Sequence, residues 1–267
     1  MINAIKVPEP DGKYLADDGF MHCAKCHDRV ETIIKHPLTG VDRKVGIICS
    51  CRKAEIEAYE ESKRMQERER RRMVCFAETN MKNWSFANDD RKNVKMSDVM
   101  KNYANNFPEF LKQGKGLLLY GPVGTGKTYY GACVANALID SGYDVLMTNF
   151  ASITNKIQGM FDGKQQYIES LNKYELLVID DLGAERKTEY MQETVFNIID
   201  SRYRSGKPFI ITTNLTAEEL KKPQELGYQR IYDRILERCV PIRVDGESRR
   251  RRNMIDTFGD MKEKLGL

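Results

Sequence analysis

Residues 121–128 read Gly-Pro-Val-Gly-Thr-Gly-Lys-Thr, which fits G-x-x-x-x-G-K-[ST], the pattern of a phosphate-binding loop. Such a loop works only between a buried strand and a helix. Its glycines let the backbone bend tightly and bring N–H groups against phosphate oxygens, and the helix N-terminus adds partial positive charge. Both flanks fit. Leu117-Leu118-Leu119-Tyr120 reads as the entering strand, and Thr128 to Ile139, with Ala132, Cys133, Ala135 and Leu138 to face a core, reads as the helix. Gly121, Pro122, Gly124, Thr125, Gly126, Lys127 and Thr128 are the candidate nucleotide-binding residues. Lys127 is placed to reach the β- and γ-phosphates, and the Thr128 hydroxyl to complete a Mg²⁺ shell. The expected ligand is a nucleoside triphosphate.

The pattern downstream is that of an α/β fold with a parallel sheet. Val145-Leu146-Met147-Thr148 reads as a second strand, followed by a helix from Ala151 to Phe161 with Ile153, Ile157 and Met160 on one face. Leu176-Leu177-Val178-Ile179-Asp180-Asp181 is an apolar run ending in two carboxylates. Strands of a parallel sheet are buried on both faces, and ligands bind at their carboxyl ends. Asp180 is therefore placed to hold Mg²⁺ through water, and Asp181 to orient or polarise the attacking water. Phe209-Ile210-Ile211-Thr212-Thr213-Asn214 reads as another such strand, with Asn214 on the γ-phosphate side. Arg230, Arg234 and Arg238 recur every four residues and share a helix face. They are either a basic solvent stripe or the source of an arginine that reaches a neighbouring subunit's γ-phosphate.

Four of the seven cysteines lie near the N-terminus, as Cys23-x-x-Cys26 and Cys49-x-Cys51 with 22 residues between the pairs. Two close pairs are what a tetrahedral Zn²⁺ needs, and four thiolates leave no open position for catalysis. The second pair is one residue shorter than usual, and His22 and His27 flank the first pair as possible substitutes, with His36 mid-loop. About 50 residues make a poor core alone, so the expected role of the metal is structural.

From Arg52 to Arg72 the chain lacks Gly and Pro and is rich in helix formers, with Glu60/Arg64 and Glu67/Arg71 at i,i+4. This reads as a solvent-exposed connecting helix. The expected organisation is a zinc module at 1–51, a charged helical linker at 52–74 and an ATPase domain at 75–267 with a short C-terminal lid. Trp84, the single tryptophan, and Phe86 are either part of an adenine-contacting segment or core anchors at the domain start. The net charge of +4 excludes nothing, and the clusters Arg70–Arg72 and Arg249–Arg252 read on charge alone as solvated surface. With 31% charged residues, no apolar stretch long enough to span a membrane and no signal-peptide pattern at the N-terminus, the expectation is a cytoplasmic protein.

Taken together, Gly121–Thr128, Leu-Leu-Val-Ile-Asp-Asp-Leu-Gly-Ala-Glu (176–185), Ile-Thr-Thr-Asn-Leu (211–215), Arg-Ile-Tyr-Asp-Arg (230–234) and Gly-Glu-Ser-Arg-Arg (246–250) resemble AAA+ ATPases of the DnaC/DnaI helicase-loader group, which also includes the IstB transposition helpers. The resemblance covers roughly residues 75–255, and the cysteine-bearing N-terminus is further similar to DnaI-like and phage-borne loaders. It implies an AAA+ ATPase that uses ATP, Mg²⁺ and Zn²⁺ and loads a hexameric DnaB-type replicative helicase onto single-stranded DNA. The zinc module would grip the helicase, the ATPase domain would self-associate, and the helix Ala151–Phe161, with Asn155 and Lys156, would meet the single strand. By the same resemblance Asn214 matches sensor 1, Arg234 the arginine finger and Arg250, or its neighbour Arg249, sensor 2. Asp181 stands where most AAA+ proteins have Glu, which implies slow ATP turnover. A transposition helper, or a non-catalytic adaptor ordered by nucleotide, are the competing readings.

Overall fold

The computed structural model describes residues 12–77, 80–90, 92–184, 188–223, 225–249, 254, 258, 261, 262, 264 and 265. The chain forms two compact units that divide between Glu67 and Arg68.

Among its described residues the first unit buries little hydrocarbon, and Leu15, Ile33, Ile34, Leu38, Val41, Ile47 and Ile48 are exposed. Strands β1 (Lys13–Leu15) and β2 (Met21–Cys23) pair antiparallel, as do β3 (Glu31–Lys35) and β4 (Asp42–Gly46). Its buried cluster is Cys23, Val30 and Cys49, with Met21, Cys26 and Cys51 packed against them, so sulfur supplies most of the core. Helix α1 (Ser50–Cys75) begins in this unit and ends in the second, and Cys75 is its one buried residue.

The second unit is built on a five-stranded parallel sheet in the order β6-β7-β8-β5-β9. The strands are β5 (Gly116–Tyr120), β6 (Val145–Asn149), β7 (Leu176–Leu182), β8 (Phe209–Thr213) and β9 (Cys239–Arg243). Successive side chains point to opposite faces, and each face is covered, which is why the central strands read as apolar runs. Leu117, Leu119, Val178 and Ile210 join a core cluster with α2 (Val94–Asn105), α3 (Phe107–Gln113) and α4 (Lys127–Asp140), through Met100, Phe107, Val134 and Leu138. Leu118, Leu177, Ile179 and Ile211 join the opposite cluster, with Ile153, Val195, Ile198, Ile231 and Ile235 from α5 (Phe150–Gln158), α7 (Glu189–Ser205) and α9 (Leu226–Arg238). Short helices α6 (Lys164–Ser170) and α8 (Ala217–Lys221) complete the layers.

Local chemistry sets the helix boundaries. The Asn149 side chain accepts the Ser152 N–H and starts α5, and Thr188 does the same for α7 at Met191. The α5 helix stops at Gln158 rather than reaching Phe161: Gly159 caps it, Met160 is half-buried and Phe161 is fully exposed. Arg71 and Arg72 do not form free surface charge. Arg71 pairs with Asp144 at 2.9 Å, and Arg72 pairs with Asp140 and donates to Asn136 Oδ1 at 3.2 Å. Arg202 is fully buried on α7, where its guanidinium donates to the carbonyls of Tyr174, Glu175 and Pro208 ahead of β7 and β8.

Candidate functional site

The loop 121–126 joins the C-terminal end of β5 to α4, at the carboxyl edge of the sheet. Two of its glycines are required by close approach. Gly121 has φ +140°, and a Cβ there would lie 2.6 Å from the Val244 carbonyl oxygen. Gly124 has φ +85°, and a Cβ there would collide with Ser248. The segment after β9 therefore backs the loop: Val244 N–H donates to Tyr120 O at 2.8 Å, and Arg249 N–H to Gly124 O at 2.9 Å. Lys127, 5% exposed, donates from Nζ to the carbonyls of Gly121 (2.9 Å) and Pro122 (2.7 Å). Thr125 Oγ1 donates to Pro122 O at 3.0 Å.

A cavity of about 470 Å³ opens over this loop, a size that suits a small-molecule ligand. It is lined by Gly124, Gly126, Lys127 and Thr128, by Asp181 near the end of β7 and Asn214 just past β8, and by Trp84, Asn88, Asp90, Lys92, Tyr129 and Arg249. Convergent N–H donors, a buried ammonium and a helix N-terminus fit a phosphate chain, and Trp84 beside Tyr129, ring centroids 5.7 Å apart, offers an aromatic wall. Trp84 also packs against the core, the anchoring position that the sequence left open to it. Burial first, and then the Cys133 thiol, keeps the Tyr129 hydroxyl above the usual tyrosine range; it donates to Ser85 O at 2.9 Å.

Asp180 does not line the cavity. Its Oδ1 accepts from Thr212 Oγ1 at 2.5 Å, and the same Thr212 oxygen accepts the Asp181 N–H at 3.0 Å. Asp181 has φ +57°, a left-handed conformation that Asp tolerates better than most residues, and the register of β7 with β8 shifts between Ile179 and Leu182. The two adjacent carboxylates thus take different environments through one buried threonine. Arg234 lies away from the cavity: it pairs with Asp200 at 2.9 Å and lies over the rings of Phe196 and Tyr203. Arg238 also lies over Tyr203 while Arg230 is exposed, so the arginine stripe is only partly a solvent face. Arg250 lies outside the described residues, as do Arg251 and Arg252, and Arg249, the described arginine of the cluster, lines the cavity.

Asn136 carries no motif signal, yet it fixes the aromatic wall. Only 2% exposed on α4, it donates from Nδ2 to the carbonyls of Met81 (3.3 Å) and Trp84 (2.8 Å). Asn136→Ala is expected to destabilise the protein by about 2 kcal/mol, because two carbonyls lose a buried donor. A lower urea midpoint with an unchanged slope would show it, and an unchanged midpoint would contradict it.

In the first unit the Sγ atoms of Cys23, Cys26, Cys49 and Cys51 all lie within 4.8 Å of one another. The Cys23–Cys51 and Cys49–Cys51 separations are 3.6 and 3.3 Å. A tetrahedral zinc with bonds of about 2.3 Å places its sulfurs roughly 3.8 Å apart, so the set fits the ion. The short Cys49-x-Cys51 spacing is accommodated because Cys51 already lies in the first turn of α1. Backbone N–H groups of Cys51 and Asp28 bring the Cys26 thiol down to about 6, and those of Cys26 and Lys25 lower Cys23. The Cys49 thiol beside it and burial push Cys51 up instead. Four sulfurs so close cannot all ionise without a cation among them. The histidines are engaged elsewhere. His22 bonds the His27 carbonyl and Asp18, His27 bonds Tyr14, and His36 accepts from the Leu38 and Thr39 N–H groups.

The chain is similar to known proteins over part of its length. The chain is 30% identical over 168 residues to the replicative helicase loader DnaI of Bacillus subtilis, covering 58% of this chain and 52% of that protein. It is 30% identical over 176 residues to an insertion-sequence ATP-binding protein of Sinorhizobium fredii, covering 64% and 58%. With the replicative helicase loader DnaC of Escherichia coli it shares 28% over 145 residues, covering 53% and 55%. The chain thus spans little more than half the length of these curated relatives. A crystal structure of DnaI superposes with a TM-score of 0.51 at 26% identity, over 62% of this chain and 89% of that one. The DnaC helicase loader structure gives 0.53 at 23% identity, over 61% and 97%, and shows the shared fold. The family model of the IstB-like ATP binding proteins matches residues 55–257, and this chain belongs to that family.

Proposed function

We propose that the protein is an ATP-dependent loader that delivers a hexameric DnaB-type replicative helicase onto single-stranded DNA. The observation that carries this reading is the pairing of two units in one chain. One is a nucleotide-binding unit similar in sequence and structure to proteins named helicase loaders; the other is a four-thiol module suited to structural zinc. ATP would sit with its phosphates on Gly121–Thr128 and its base near Trp84 and Tyr129. Lys127 would neutralise the phosphates, Thr128 and, through water, Asp180 would hold Mg²⁺, and Asp181 and Asn214 would position water at the γ-phosphate. Thr212, donating to Asp180, would orient that carboxylate. Turnover would be slow, because Asp181 is a shorter carboxylate than Glu. Arg234 would serve a neighbouring protomer's site on self-association, and Arg249 or Arg250 the γ-phosphate of its own. The module at 1–51 would hold the helicase, the helix at 52–74 would link it, and the unit at 75–267 would bind nucleotide and, through α5, single-stranded DNA. Such a loader would work in the cytoplasm; among the described residues no helix is long and apolar enough to cross a membrane.

The test is size-exclusion chromatography with mass detection of the full chain mixed with its cognate replicative helicase, with and without MgATP. A stable complex is expected. No complex under any nucleotide condition would overturn the loader reading. It would favour the second one, a helper ATPase for a transposase, to which the similarity with the insertion-sequence protein points equally well in percentage identity.

A further inference from the structure

Asp89 has a carboxylate with no exposure, and its Oδ1 makes no hydrogen bond among the described residues. Ser97 Oγ donates to its other oxygen. Arg249 Nη1 lies 3.9 Å from Asp89 Oδ1, and Arg249 Nη2 lies 3.1 Å from Asp90 Oδ1. The same Nη2 is 3.3 Å from the Tyr130 hydroxyl. The Arg249 backbone is tied to Gly124 of the phosphate loop, and both Arg249 and Asp90 line the nucleotide cavity. One guanidinium is therefore anchored by its main chain to the loop while its side chain serves two carboxylates from the segment that follows Trp84.

A buried carboxylate oxygen with an incomplete set of donors is costly, and among the described residues Asp89 Oδ1 is met by the Arg249 guanidinium at long range. A terminal phosphate is the stronger claimant, since it takes an arginine in bidentate fashion and carries more charge than one carboxylate. We propose that Asp89 and Asp90 are positioning residues for Arg249. They compete with the terminal phosphate of a nucleoside triphosphate for its guanidinium, and so set how strongly the protein prefers triphosphate to diphosphate. The proposal rests on the nucleotide-binding reading above. A diphosphate has no group to draw Arg249 away, so the carboxylates keep it. A triphosphate must take Arg249 from Asp90, and that exchange alters the segment bearing Trp84, the one tryptophan of the chain.

The experiment is isothermal titration of the full-length protein with the Mg²⁺ complexes of ADP and of a non-hydrolysable ATP analogue. Wild type, Asp90→Asn, Arg249→Ala and the double variant are compared, with Trp84 fluorescence followed in parallel. Asp90→Asn is expected to tighten the triphosphate about threefold, the scale of one partly exposed ion pair, and to leave ADP unchanged. In the Arg249→Ala background the same substitution is expected to do nothing, and the triphosphate-dependent change in Trp84 emission to shrink. Equal tightening of both nucleotides, or an Asp90→Asn effect that persists without Arg249, would show only the removal of a negative charge near phosphates and would overturn the proposal. So would weaker triphosphate binding. A wild-type protein that binds neither nucleotide would instead overturn the nucleotide-site reading beneath it.

Discussion

Lys127→Ala is expected to weaken MgATP binding by at least about 100-fold, or roughly 3 kcal/mol, and to leave the fold intact. The magnitude follows from losing a buried ammonium at the phosphate chain, where charge-assisted hydrogen bonds are worth about 1.5–3 kcal/mol each. The Nζ atom is pre-placed. It is held by the Gly121 and Pro122 carbonyls within the loop itself, so little ordering is needed for it to meet a ligand. The fold survives because the lost partners are limited: Pro122 O keeps its bond from Thr125 Oγ1, and the strand and helix on either side carry the packing. Titration with MgATP beside a thermal melt separates the two effects. Affinity within about fivefold of wild type would remove the loop from the role given to it here. A melt lowered by more than a few degrees would mean that Lys127 also supports the fold.

Much of the nucleotide unit is legible in the sequence because its chemistry is local. The runs Leu117–Leu119, Leu176–Ile179 and Phe209–Ile211 are apolar at every position since helices cover both sheet faces, and β5, β7 and β8 form there. The phosphate loop is a contiguous string that its pattern alone reveals, although Gly121 and Gly124 answer to Val244 and Ser248, far along the chain. Edge strand β9 leaves no such mark. It contains Pro241, and Val240 is 49% exposed, both tolerable at an edge and misleading in a pattern. What sequence hides best are partners far apart along the chain: Asn136 with Trp84, Thr212 between Asp180 and Asp181, and Arg249 with Asp89 and Asp90. Each is an ordinary polar residue whose importance comes from where the fold buries it. The end of α5 shows the reverse error, since Met160 and Phe161 extend an apolar period past Gly159, where the helix has stopped.

Removing zinc is expected to unfold the first unit and spare nucleotide binding by the second. The reason is the composition of the two cores. Of the first unit's buried cluster, Cys23 and Cys49 are metal-binding candidates, leaving Val30 as its one buried hydrocarbon side chain. Four strands of at most five residues each are poorly held by the apolar surface buried among the described residues, and a metal bound by the four thiols would supply the stability that this packing does not. The sheet clusters around Leu117–Leu119 contain none of these four cysteines. The purified protein should therefore carry about one zinc per chain. A strong chelator should release it and expose four thiols to a colorimetric reagent. Cys75, Cys133 and Cys239 should stay silent, because burial raises their thiols and hides them within the second unit. Cys49→Ser should reproduce the loss of zinc, and MgATP affinity should stay within about twofold of wild type in both cases. A protein that purifies without metal, with the same thiol reactivity and circular dichroism before and after chelation, would mean that the four sulfurs hold their positions by packing alone, which a core with one buried valine cannot explain.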